Sequence, residues 1–248
     1  MKNNIIFFFA HQDDELGIIS IIENYANQDN SNVICLFMTD GGLKSETRNH
    51  ESTKVLRRIG VQSKNIRFIG KDLNFKDGHL SKNISKLSDW INSFLSKVEN
   101  IESMYVTAYE GGHQDHDALH VATVIASKKN NLKNKLFQFP LYNSYKCLKP
   151  FFAVLSPLPV NGEIIKIPIS LKDRIKGTLF CLSYPSQIKT WIGLFPFFLF
   201  YFLTNNSLKI QKVSVERVLE KPHEGSLLYE TRKFYTWDKF SKDIKPII

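Results

Sequence analysis

The period of the hydrophobic pattern changes repeatedly along the first half of this chain, and each change predicts an element. Ile5 to Ala10, Asn32 to Met38 and Met104 to Ala108 are short, nearly unbroken apolar runs rich in β-branched and aromatic residues. Runs of that length and composition are strands buried on both faces. Ile66 to Ile69 is a shorter one. Between them the spacing becomes helical: Leu16, Ile19, Ile22 and Tyr25 mark a helix over 16–26, a second runs from Glu46 to Ile59 and stops at Gly60, a third from Ser81 to Val98, and a fourth from Asp117 to Ser127. Strand-helix alternation of this kind predicts an α/β fold with a mainly parallel, Rossmann-like sheet and helices on both faces.

The pattern is less regular from about residue 149. Leu136 to Phe139 and Glu163 to Ile167 read as strands, Leu171 to Cys181 as a helix capped by Ser170, Ser207 to Val218 as one or two strands, and Tyr229 to Trp237 as a further strand. Lys149 to Pro159, with three prolines, reads as a loop. No linker-like composition divides the halves, so one domain is expected over 1–248. Trp191 to Leu203 is almost wholly apolar, uncharged, interrupted by Pro196 and too short to span a bilayer. Its cover must be the protein's own core, a homo-oligomer interface or lipid. In the lipid case Phe197 and Phe198 are expected to carry the contact, as a flap near the site.

Composition narrows the classes. The three cysteines, Cys35, Cys147 and Cys181, form no CxxC pair and sit in apolar contexts, as reduced core residues do. The net charge of +9 comes from spread lysines rather than one cluster. Nucleic acid is therefore disfavoured against an anionic substrate or a peripheral contact with an anionic membrane surface. The N-terminal apolar run is shorter than a signal-peptide core and is followed at once by acids, so a cytoplasmic protein is expected. The first strand-to-helix turn has no Gly-x-Gly-x-x-Gly, which argues against a dinucleotide.

The candidate chemistry lies at two strand ends. His11-Gln12-Asp13-Asp14-Glu15 follows the first strand, and Gly112-His113-Gln114-Asp115-His116 lies just beyond Met104 to Ala108. Carboxylates crowded this closely call for a cation. His11, Asp14 and His116 supply two imidazoles and a carboxylate, a set that suits a catalytic zinc with one open position. Asp13 is then free to act as general base, and His113, as imidazolium, to stabilise an oxyanion or protonate a leaving amine. Asp115 and Glu15 are candidates to orient the ligands and loops. Asp40, in Thr39-Asp40-Gly41-Gly42, suits a turn, and Arg48 with Glu51 suits a surface pair on a helix.

Ala10-His11-Gln12-Asp13-Asp14-Glu15 resembles the AHPDDE signature of the LmbE-like, or PIG-L-type, zinc N-deacetylases, and Gly112 to His116 resembles their GHPDH signature. Thr39-Asp40-Gly41, Arg48 with Glu51, and Lys176 with Tyr184, Ser186 and Gln187 also follow the family pattern, more thinly in the second half. The resemblance implies a Rossmann-like fold, one zinc or other divalent ion, and hydrolysis of an acetamide on an N-acetyl amino sugar such as an N-acetylglucosamine-containing molecule. By position it puts the metal ligands on His11, Asp14 and His116, the base on Asp13, the intermediate-stabilising histidine on His113 and a substrate contact on Arg48. Gln12 and Gln114 stand where the family has prolines, which would loosen both loops. Gly111 stands where some members have a tyrosine, and Tyr109 is the nearby substitute.

These readings lead to a metal-dependent N-deacetylase of a free, nucleotide-linked or lipid-linked N-acetyl amino sugar in a glycan, glycoconjugate or polysaccharide pathway. A metal-dependent phosphoesterase would need further strand-end ligands, for which only Asp40 and Asp115 are spare. A non-catalytic carbohydrate-binding relic is disfavoured because every chemical role still has its residue.

Overall fold

Residues 2–248 are described in a computed structural model of the protein. Strands β1 (Asn3–Phe9), β2 (Ser31–Phe37), β3 (Ile66–Phe68), β4 (Ile101–Thr107) and β5 (Leu136–Phe139) form a parallel sheet. A two-residue ribbon, β6 (Tyr142–Asn143) with β7 (Ala153–Val154), stands apart from it. β8 (Ile164–Pro168) and β9 (Ser207–Lys212) extend the main sheet antiparallel, giving the order β3-β2-β1-β4-β5-β9-β8. The parallel strands are joined across the faces by α1 (Ile19–Ala26), α2 (Ser45–Arg58), α3 (Ile69–Leu73), α4 (Ile84–Leu95) and α5 (Gln114–Lys129). The second half adds α6 (Leu171–Phe180), α7 (Ile188–Thr204), α8 (Leu228–Thr231) and α9 (Trp237–Ile244).

The unbroken apolar runs follow from this architecture. In β1, Ile5, Phe7 and Phe9 feed one core cluster and Ile6 and Phe8 the other, and in β2 Val33, Cys35 and Phe37 oppose Ile34 and Leu36 in the same way. A strand covered by helices on both faces has no solvent side to make polar. The α1, α2, α6 and α7 side holds the first cluster and the α4, α5 and α9 side the second. The register aligns Phe7 with Cys35 and Tyr105, so β1, β2 and β4 end side by side. Chain order reverses between β1 and β4, and loops leaving such a reversal open a crevice at the carboxyl edge.

Three expectations change. Tyr229 to Trp237 is not a strand. Glu230 accepts from the backbone N–H of Leu227 and of Trp237, and so ties the starts of α8 and α9 together. Cys147 is half-buried in a loop, whereas Cys35 and Cys181 are core residues, and all three are free. Trp191 to Leu203 lies within α7, which carries Pro196 in its interior. Its inner side, Trp191, Phe198, Tyr201 and Phe202, is buried in the first core cluster. Phe198 is thus a core residue, and the Phe197 ring packs tilted against that of Phe152 with ring centroids 4.7 Å apart. No helix among the described residues is long and apolar enough to cross a membrane.

Candidate active site

The two motifs meet at that crevice. The chain leaves β1 through a turn in which Asp13 has φ of 107° and ψ of −15°, a left-handed conformation that costs an aspartate energy. Side-chain and backbone contacts hold it there: the Asp13 N–H donates to Glu15 Oε2 (2.8 Å), and the His11 N–H donates to Asp14 Oδ2 (2.8 Å). The second motif leaves β4 through Gly111 (φ +70°) and Gly112, and His113 caps α5, its Nδ1 accepting from the Asp115 N–H at 3.2 Å. Gly112 is obligatory because a Cβ there would lie 2.0 Å from the Tyr142 carbonyl oxygen.

His11 Nδ1 and His116 Nε2 lie 3.1 Å apart, and Asp14 Oδ1 lies 3.1 Å from that same Nε2, all buried. Two imidazole nitrogens and a carboxylate oxygen so close, in so little water, suit a shared divalent cation: the lone pairs converge and the cation offsets the carboxylate charge. Burial alone would raise the Asp14 carboxyl, but His116 and His11 hold it well below its ordinary range. Burial works against charge on His11, yet Asp77, Asp115 and Asp14 carry its pKa well above the ordinary value. His11 Nε2 contacts Asp115 Oδ2 at 3.1 Å and Asp77 Oδ1 at 3.3 Å. This anionic surrounding fixes the ring with Nδ1 toward the other two groups. Asp115 in turn accepts from the N–H groups of Gly78 and Leu80, so it ties the 77–80 loop to the site. A second set, His11, Asp77 and His113, shares His11 with the first, so the two are not independent sites.

Asp13 and His113 line the same cavity, about 430 Å³ in volume, without belonging to the His11, Asp14 and His116 set. Burial pushes the Asp13 carboxyl up; Arg48 opposes the rise, while Asp14 and Glu15 add to it. His113 moves the other way, down to about 3, from burial and then from His11, with His116 adding to the fall. Both effects favour the neutral imidazole over the imidazolium. Its Nδ1 acceptor role leaves the hydrogen on Nε2.

Arg48 lines the cavity but is buried and heavily engaged. It donates to the carbonyls of Gln12 (3.0 Å) and Gly41 (3.3 Å) and to Asp77 Oδ2 (2.9 Å), and it lies 3.7 Å from Asp13 Oδ1. It does not pair with Glu51, which accepts from the N–H and hydroxyl of Ser186. Tyr184 donates to Glu15 Oε1 at 2.6 Å, so the Tyr184 to Gln187 segment is pinned against the first motif. Asp40 is the expected turn-former, with Oδ1 accepting from the N–H of Gly42 and of Asp77. The glutamines at the proline positions do not leave the loops untethered: Gln12 donates to Asn49 Oδ1 (2.6 Å) and Gln114 to the Gly78 carbonyl (3.1 Å).

Tyr109 is not the substitute for the tyrosine missing at Gly111. It is buried in the second core cluster with its hydroxyl on the Glu220 carbonyl. The tyrosine facing the cavity is Tyr142, whose ring lies 5.5 Å from that of His116. Asp77, Tyr142, Lys189, Arg232 and Phe234 are cavity residues that the sequence reading missed, whereas Trp191 belongs to the segment considered as a flap near the site. Only Asp77, in Lys76-Asp77-Gly78, carries a local signal, that of a turn. The rest arrive from distant elements.

The model of the family described as PIG-L, GlcNAc-PI de-N-acetylase, matches residues 6–127, which contain both motifs. Solved structures share the fold. The zinc-inhibited form of teicoplanin deacetylase Orf2 has a TM-score of 0.63 at 14% identity, covering 84% of this chain and 97% of that one. N,N'-diacetylchitobiose deacetylase from Pyrococcus horikoshii has a TM-score of 0.58 at 17% identity, covering 90% and 88%. No curated protein matches the sequence. The similarity to the PIG-L family thus rests on residues 6–127 and the two motifs within them.

Proposed function

We propose that this protein is a metal-dependent N-deacetylase that hydrolyses the acetamide of an N-acetyl amino sugar. The observation that carries this reading is the convergence of His11, Asp14 and His116, the first two of which line a cavity whose walls also hold Asp13 and His113. Support comes from the family match and from fold neighbours named as deacetylases of the teicoplanin biosynthesis pathway and of N,N'-diacetylchitobiose.

His11, Asp14 and His116 would hold zinc or another divalent ion, which when bound polarises the acetamide carbonyl and makes a water acidic. Asp13, its carboxyl raised by burial, takes the proton of the attacking water at a carboxylate oxygen and returns it to the leaving amine nitrogen. His113 presents its Nε2 hydrogen to the carbonyl oxygen as negative charge develops there. Arg48 clamps the Asp13 turn and Asp77 and contacts the sugar from the cavity wall. Asp115 keeps the His11 ring aimed. The indole N–H of Trp191, buried without a partner, and the Tyr142 hydroxyl are groups that a sugar's hydroxyls can satisfy. The phosphoesterase alternative gains nothing from the geometry, because the two ligand sets share His11.

The test is release of acetate by metal-loaded protein from free, nucleotide-linked and lipid-linked N-acetyl amino sugars, against the Asp13→Ala variant. Release that depends on Asp13 is expected. Equal release by both proteins, or none from any acetamide while a phosphate ester is cleaved, would reject the reading.

A further inference from the structure

Two neighbouring helices show solvent the wrong side chains. In α6, Leu171, Ile175 and Leu179 recur every four residues and Leu182 follows just beyond, and they are 63%, 55%, 57% and 69% exposed. In α7 the same spacing brings Ile188, Ile192 and Phe200 outward, with Pro196 between them and Leu203 beyond. The four apolar side chains are 53%, 71%, 67% and 69% exposed. Residues four apart share a helix face, so each helix carries one continuous apolar stripe on its outside. The helices pack on each other where Gly177 meets the Phe202 ring. Among the described residues, half of the exposed large hydrophobic side chains lie between 171 and 203.

The stretch of chain that carries this face has one prevailing charge. From Ile164 to Lys212 the chain has seven basic residues and one acid, Asp173. The acid is held by the Ser170 hydroxyl at the start of α6, and one of the bases, Lys176, is paired with Glu23. Lys172 and Lys189, on the two helices themselves, are exposed. Two copies of such a face repel each other, whereas an anionic leaflet attracts it. The inner side of α7 is also a wall of the catalytic cavity: Trp191, Leu194 and Phe198 line it. Cavity wall and apolar outer stripe are therefore opposite sides of one helix.

We propose that the α6–α7 face docks peripherally on an anionic bilayer, with Ile175, Leu179, Ile192 and Phe200 in the interfacial layer and the exposed lysines on the headgroups. Docked this way, the cavity takes its acetamide from a sugar whose other end stays in the leaflet. That consequence rests on the deacetylase reading; the docking does not. A helix pair with an apolar outer face and basic flanks lies in the membrane plane rather than across it.

The full chain is mixed with vesicles of phosphatidylcholine alone, or with about one part in three of phosphatidylglycerol, and the bound fraction is read by co-sedimentation at low and high salt. Binding to the anionic vesicles that weakens with salt is expected. The Ile192→Ser, Phe200→Ser double variant should bind about tenfold more weakly while keeping its far-ultraviolet spectrum and unfolding midpoint. Lys172→Glu should weaken binding at low salt only. The proposal falls if the chain stays in the aqueous fraction with both vesicle types, or if the double variant sediments with lipid like the parent. It falls equally if the parent is a dimer that the double substitution dissolves, which would make the face a protein interface. No turnover enters this test, so its failure leaves the deacetylase reading standing, and the reverse holds too.

Discussion

The strand ends of β1 and β4 and the outer side of α6 and α7 present opposite relations between residue and environment. At the strand ends, charged and polar side chains are buried: Glu15, Asp115 and Asp117 have no exposed surface. Glu15 accepts from Asp13 and Tyr184 and Asp115 from Gly78 and Leu80, while Asp117 accepts from the N–H groups of Glu110 and Gly111 on Oδ1 only, and burial raises its carboxyl well above the ordinary range. On α6 and α7, apolar side chains face solvent and nothing among the described residues covers them. Buried charge costs free energy unless it is paired and is kept where chemistry needs it. Exposed apolar surface is kept where contact needs it. The cavity joins the two, with the first region as its floor and α7 as one wall.

This contrast can be broken by substitution, and the largest effect belongs to the floor. His116→Ala removes one of the two imidazoles and should lose most bound metal and all measurable turnover; stoichiometric zinc by elemental analysis in that variant would remove His116 from the ligand set. Asp13→Ala should keep the metal and lose on the order of 10²–10⁴ in rate. Near-normal kcat with a full metal content would assign the proton transfer elsewhere. For His113→Ala the expected loss is about 10²–10³ in kcat, again with the metal retained. Metal loss there would show that the His11, Asp77 and His113 set is the real one. Asp115→Asn acts one step further out: it should weaken metal affinity about 10–100-fold by freeing the His11 ring, measured by competition with a chelator. The smallest effect on the fold itself belongs to the outer stripe. Ile192→Ser should change unfolding free energy by no more than about 0.5 kcal/mol, because the side chain is already in water. A larger loss in a denaturant titration would mean that the stripe is core, and the contrast would disappear.

Legibility followed the same division. Where a strand is buried on both faces, its residues have no freedom to be polar, so β1, β2 and β4 stood out as apolar runs and the order of elements followed. The site residues were legible because they sit within a few positions of those strand ends. The glutamines at positions 12 and 114 show the limit of such reading: the loss of a proline predicted looser loops, but Asn49 and the Gly78 carbonyl tether them from far along the chain. The Tyr229 to Trp237 segment was misread because its conformation is set by Glu230, one side chain reaching two helix starts.

The sequence by itself determined the α/β class, the two motifs and the grouping of His11, Asp13, Asp14, His113 and His116, because these follow from local period and short spacing. Only the tertiary structure decided which tyrosine faces the cavity, that Arg48 is spent largely on Gln12, Gly41 and Asp77, and that Asp77 enters the site at all. It also decided which side of α7 is core and which is bare. An all-apolar helix has no amphipathic pattern to orient it, so its inner face is chosen by what the rest of the chain packs against it.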